Sequence, residues 1–176
     1  YDVLPTPNAY RTASGAPGHD YWQQKADYKI KVRLDDATQR IYGEEMVTYT
    51  NNSPDVLDYL WVQLDQNMRA KDSDTYKIQS SSISERSSVD QIQRMMVPEF
   101  DGGFKLDYVN DSKGKPMNYT INKTMLRLDL NAPSKSGEKV SFSIKWWYNI
   151  NDRMAIGGRS GYEYFVEDDN YLYTIA

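Results

Sequence analysis

From residue 139 to residue 150, apolar and polar side chains alternate almost without a break. Val140, Phe142, Ile144, Trp146, Tyr148 and Ile150 share one parity; Lys139, Ser141, Ser143, Lys145, Trp147 and Asn149 share the other. A helix would scatter that pattern around its axis, whereas a strand sorts it onto a dry and a wet face. The stretch therefore predicts a long strand with Phe142 and Ile144 in the core. Other segments repeat the signal. Ala26, Tyr28, Ile30, Val32 and Leu34 alternate with Asp27, Lys29, Lys31 and Arg33, predicting a strand with one wet face. Asp35-Asp36-Ala37-Thr38 is turn chemistry, and Ile41 to Thr50 reads as a returning strand with Gly43 as a bulge. Leu57 to Leu64 is apolar at both parities, as in a strand buried on two sides. Phe104–Val109, Tyr119–Ile121, Thr124–Leu130, Tyr162–Val166 and Tyr171–Ile175 complete about nine strands.

Short turns join these segments, at Asp101-Gly102-Gly103, Gly114-Lys115-Pro116 and Ser134 to Gly137. The fold class implied is all-β: an antiparallel β-sandwich or saddle-shaped pair of curved sheets with little helix. Fifteen Tyr and four Trp agree with it, since aromatic side chains suit a pleated, half-buried surface. Residues 1–24, with Pro5, Pro7, Gly15, Pro17 and Gly18, read as an irregular leader anchored by Tyr21 and Trp22. Residues 25–176 read as one β-domain, truncated at its C-terminal end because the last strand runs out without a closing turn. Ser80 to Ser88 reads as a solvated loop, and Ser88-x-x-Gln91 with Ile92 and Met96 as a cap on one or two helical turns.

Charge and composition exclude several functions. The balance of 21 Lys and Arg against 25 Asp and Glu, with no basic block, argues against nucleic acid as a partner. No run is long and apolar enough to be a membrane helix. Without Cys, thiolate metal sites and cysteine nucleophiles are excluded, and a single His excludes any site that needs two. A sequence opening at Tyr1 with no charged-then-apolar leader reads as a processed chain whose export signal is gone.

The residues that invite a chemical reading are few. Gly157-Gly158-Arg159-Ser160-Gly161 has the glycine content of a phosphate cradle, but no Lys and no helix pattern follow it, so it reads as a loop between strands. Glu44-Glu45 and Glu167-Asp168-Asp169 offer carboxylates for a glycosidase pair or a calcium ion, or simply solvated turns. His19, in a Gly/Pro-rich stretch, reads as an exposed tail residue or as a metal ligand whose carboxylate partners the sequence does not place. The triplets at Asn51, Asn110, Asn118 and Asn122 are glycosylation acceptors in pattern and composition in origin. Trp146, Trp147, Tyr148, Tyr162 and Tyr164 are candidates for a sugar-stacking platform. Trp147 stands apart as the one large aromatic on the wet parity of its strand. It reads as a surface residue, a sugar-stacking residue, or an anchor for a second domain.

Several segments, in order, resemble one family. They are Tyr21-Trp22-Gln23-Gln24-Lys25-Ala26-Asp27-Tyr28-Lys29-Ile30, the stretch Gly43 to Pro54, Leu60 to Asn67, and Lys145-Trp146-Trp147-Tyr148. Together, over about residues 20–176, they resemble the N-terminal domain of aminopeptidase N-like zinc metallopeptidases, in particular a bacterial exported branch. The resemblance implies a saddle-shaped β-domain packed on a thermolysin-like catalytic domain of the same polypeptide, which acts on peptide substrates. It implies zinc in that catalytic domain, held by a His-Glu-x-x-His helix and a distant Glu, and a Gly-x-Met-Glu-Asn strand. None of those motifs occurs here. The family's first domain also lends a Gln from near its C-terminal end, and Gln23, Gln24, Gln63, Gln66, Gln79, Gln91 and Gln93 lie too early to match it. The expectation is thus a chain with no catalytic, cofactor or metal residues of its own, from a periplasmic or cell-surface protein, with Trp147 as the domain-docking candidate. The alternative is a free-standing glycan- or protein-binding β-sandwich.

Overall fold

The computed structural model describes residues 6–74, 88, 89, 92 and 100–174. Nine strands carry the fold: β1 (Lys25–Asp35), β2 (Arg40–Thr50), β3 (Leu57–Gln63), β4 (Lys105–Asp111), β5 (Tyr119–Asn122), β6 (Met125–Ser134), β7 (Lys139–Asn149), β8 (Gly161–Phe165) and β9 (Asn170–Thr174). A 3-10 turn at Asp65–Arg69 and a one-turn helix α1 at Arg153–Ile156 interrupt them. The larger sheet runs β1-β2-β7-β4, the smaller β3-β6-β5, and β8-β9 is a separate hairpin. Every pairing between these strands is antiparallel. The all-β antiparallel sandwich read from the alternation is the architecture found.

The core lies between the two larger sheets. Val47, Val109, Phe142 and Ile144 from one side meet Leu60, Leu126 and Leu128 from the other, with Leu64 and Met117 closing the ends. Phe142 and Ile144 are buried as their parity required. Polar contacts hold the end of the leader, where Tyr21 and Trp22 are partly exposed and line a pocket with Pro54. The Gln24 amide donates to Asn51 Oδ1 (3.0 Å), its oxygen accepts from Asn52 N (2.7 Å), and Asn52 Nδ2 reaches Gln23 O (2.9 Å).

Three local expectations change. Gly43 is not a bulge, because the register with both β1 and β7 runs through it unbroken. It sits opposite Trp146, whose indole lies flat over the strand where a Cβ would be. We expect Gly43→Ala to displace that ring and cost about 1–3 kcal/mol, read as a lower urea midpoint; an unchanged midpoint would show that the indole moves freely. β3 is not buried on two sides either. Leu60 faces the core, whereas Tyr59 and Trp61 are exposed, because no second layer of described residues covers the outer face of the smaller sheet. β1 has no dry face at all. The expected polar loop from Ser80 to 87, together with Gln91 and Met96, lies outside the described residues; Val89 and Ile92 are helical, and Ile92 N reaches Ser88 O at 3.1 Å.

Candidate functional site

The exposure of β1 follows from register. Residues directly opposed in antiparallel strands share a face. Ile30, Glu45, Ile144 and Val109 therefore form one row across the larger sheet, on the side that faces the smaller sheet. Burial falls steadily along it. Val109 and Ile144 are 2% and 1% exposed, Glu45 is half-buried, and Ile30 is 54% exposed. Tyr28, Val32 and Leu34 on the same face are 59%, 60% and 44% exposed. The three-stranded sheet covers β4, β7 and β2 and stops short of β1. The apolar side of β1 thus overhangs the sandwich.

Under that overhang lies a groove of about 380 Å³, between the core side of β1 and β2 and the edge strand β3. Tyr28, Tyr49, Leu60, Trp61 and Phe142 line it, with Glu45 among them. Among the described residues, none lining it is a cation, and the Glu45 carboxylate has no hydrogen-bond or ion-pair partner. Burial alone pushes the Glu45 carboxyl above its usual range. A raised folded-state value means that the folded chain holds the proton more tightly, so Glu45 lowers stability as pH rises past the ordinary glutamate value of 4.5. We therefore expect Glu45→Gln to stabilise the chain at pH 7 and to make no difference well below pH 4.5. Denaturant melts at the two pH values check this, and a destabilised variant at pH 7 would show that Glu45 has a partner.

The other candidates are dispersed. Glu44 and Glu45 point to opposite faces of β2, and Glu44 accepts from the Tyr108 hydroxyl at 2.7 Å, so the two do not form a catalytic pair. Glu167, Asp168 and Asp169 lie exposed at the β8–β9 turn, where Asp169 accepts from Tyr164 OH at 2.7 Å. His19 is exposed, 3.5 Å from Asp20. Among the described residues, no three His, Cys, Asp or Glu side chains are grouped to hold a metal ion. The Gly157–Gly161 loop joins α1 to β8, and its carbonyls turn inward: Asn151 Nδ2 donates to Gly157 O (3.2 Å) and Ser160 O (2.9 Å). No helix in the described part is long and apolar enough to cross a membrane.

The aromatic platform divides into three. Trp146 and Tyr148 stack at 5.9 Å and meet Phe104 edge-on, on the core side of the sheet. Tyr162 and Tyr164 pack with Tyr171 and Tyr173 in the hairpin, and the Tyr173 hydroxyl donates to Asp36 at the β1–β2 turn. Trp147 lies on the outer face, half-buried by its own sheet. Its ring sits 6.4 Å from Tyr42 and beneath the Arg40 guanidinium at 4.8 Å, while Arg33 covers Tyr42 at 4.3 Å. It is one member of a cation–aromatic row rather than a lone exposed Trp.

Sequence reasoning missed the position of Glu45, although a signal existed. Along β2 the core parity reads Ile41, Gly43, Glu45, Val47, Tyr49, and the one carboxylate there breaks an otherwise apolar series.

No family model matches the chain, and no curated protein matches it. Solved structures of M1 zinc metallopeptidases do. A two-domain enzyme in a mutant form bound to L-tryptophan, and a Deinococcus radiodurans enzyme in a mutant form bound to the substrate Tyr-Ser-Ala, each have 9% identity and a TM-score of 0.44. Each match covers 77% of this chain and 23% of the other. A further mutant of the Deinococcus radiodurans enzyme has 9% identity and a TM-score of 0.45, over 84% of this chain and 25% of its own. The chain spans about a quarter of the length of the structures it matches.

Proposed function

We propose that this chain is a non-catalytic β-domain of a zinc aminopeptidase-like metallopeptidase, which packs against a catalytic domain and shapes its substrate end. The observation that carries the reading is the apolar side of β1, four large side chains left in water by a sandwich whose own second sheet does not reach them. A continuous uncovered apolar strip of this kind marks a surface that another body covers. The ordered sequence resemblance supplies the identity of that body. In this proposal the parent holds the zinc, acts on peptides and is exported to the periplasm or cell surface. The purified chain is expected to bind no stoichiometric zinc and to hydrolyse no aminoacyl anilide, because three fixed metal ligands are required for that chemistry. Metal-dependent hydrolysis that survives His19→Ala would overturn the proposal.

Trp147 is the docking candidate on the opposite, outer face. Its row contacts imply that Trp147→Ala costs the isolated chain about 1 kcal/mol. If the outer face docks, the full-length protein loses about 2 kcal/mol more than that; if the overhang alone docks, the two losses are equal. Paired denaturant titrations separate these outcomes.

A further inference from the structure

We infer that the edge of β1 is a strand-acceptor site for an extended peptide segment carrying one arginine or lysine at an inward position, read by Glu45. Three observations converge on it. β1 is an edge strand eleven residues long, without Pro, Gly or bulge, and without a partner on its outer side among the described residues. Such an edge presents a row of free backbone donors and acceptors, the surface that strand addition uses. Its inward side chains, Tyr28, Ile30, Val32 and Leu34, form an apolar floor for the alternate residues of an added strand.

Glu45 sets the charge of the occupant. It lies opposite Ile30, half-buried and without a partner among the described residues, in a groove walled by Tyr28, Tyr49 and Trp61. A residue facing Ile30 on an added strand would stand two strand spacings, roughly 10 Å, from Glu45. An arginine or lysine stem can cross Ile30 over that distance and bring its cation to the carboxylate, with aromatic faces beside it. A partially dehydrated carboxylate with no partner strongly favours such a cation. On the outer face, Lys29, Lys31 and Arg33 of β1 favour acidic or hydroxyl residues at the other positions of the segment. A second copy of this chain adding through its own β1 offers only Ala26, Tyr28, Ile30, Val32 and Leu34 inward, and no cation. An extended segment that carries a cation fits better.

The inference shares the exposed side of β1 with the proposed function but not its identification of the covering body: the peptide titration reads the β1 edge of this chain alone, and its failure leaves the metallopeptidase reading standing. A labelled, end-blocked peptide Val-Glu-Val-Thr-Arg-Thr-Val-Glu-Val is titrated with the full chain by fluorescence anisotropy. It is compared with the same peptide carrying norleucine for Arg, and with one N-methylated at every second residue. Saturable binding of the arginine peptide below about 1 mM is expected, at least about tenfold weaker with norleucine and lost on N-methylation. Glu45→Gln, which is expected to fold at least as stably, should weaken the arginine peptide about tenfold and leave the norleucine peptide unchanged. Equal binding of the two peptides, an arginine peptide indifferent to Glu45→Gln, or no saturable binding up to about 1 mM overturns the inference.

Discussion

Replacing Asn51 by alanine is expected to cost the domain about 3 kcal/mol or more, among the largest losses from any side chain that is not apolar. Asn51 is fully buried. Its Nδ2 donates to Asp55 O (2.7 Å) and Ser134 O (3.0 Å). Its Oδ1 accepts from Gln24 Nε2 (3.0 Å), Ser53 N (3.1 Å) and Ser53 Oγ (2.6 Å). One amide thus ties together the leader, the β2–β3 turn and the end of β6. Alanine leaves the Ser134 carbonyl buried without that donor, and each such orphan costs about 1–3 kcal/mol. Asn51→Asp should be no better, since a carboxylate would turn an oxygen toward two carbonyls. Urea melts measure the loss, and proteolysis near Gln24 should speed up as the leader is released. A loss under about 1 kcal/mol would mean that water replaces the amide.

Phe142→Ala is expected to cost about 3–5 kcal/mol. The ring is 3% exposed and sits at the centre of the cluster formed by Val47, Leu60, Val109 and Ile144. For a domain of this size the loss corresponds to a fall in melting temperature of roughly 10 °C. The position lies in the middle of the larger sheet, paired with Val47 on one side and Asp111 on the other, so the sheet cannot easily collapse into the void. A variant melting within about two degrees of the parent chain would place Phe142 outside the core.

What was legible in the sequence was whatever depends on a single strand. The alternation of residues 139–150 located β7 and its buried face, and the turn residues separated its neighbours. Faces that depend on what lies above them were not legible. Ala26 to Leu34 carries the same alternation as β7, yet its apolar side is in water, because strand order places β1 at an edge that the second sheet does not reach. Tyr59 and Trp61 sit in a run apolar at both parities, and only the absence of a described layer outside the smaller sheet leaves them exposed. A glycine inside a strand has two common explanations, a bulge or a close approach to the backbone, and at Gly43 the second comes from an aromatic ring 103 positions away.

The site followed the same division. Trp147 was visible as an anomaly of parity, but Tyr42 and Arg40, which cover it, belong to another strand and only the register brings them together. Asn51 read as a glycosylation triplet, although its side chain is spent on partners as far as 83 residues away. In the sequence Glu45 shows only as half of an acidic pair. Its neighbour faces the other way, and its significance lies in the apolar groove around it.

The central proposal is that this β-domain belongs to a larger polypeptide whose catalytic part covers the overhang of β1. The most direct test is to read the coding sequence beyond the codon for Ala176. The account predicts an uninterrupted reading frame that continues into a His-Glu-x-x-His segment; a stop codon immediately after Ala176 would contradict it.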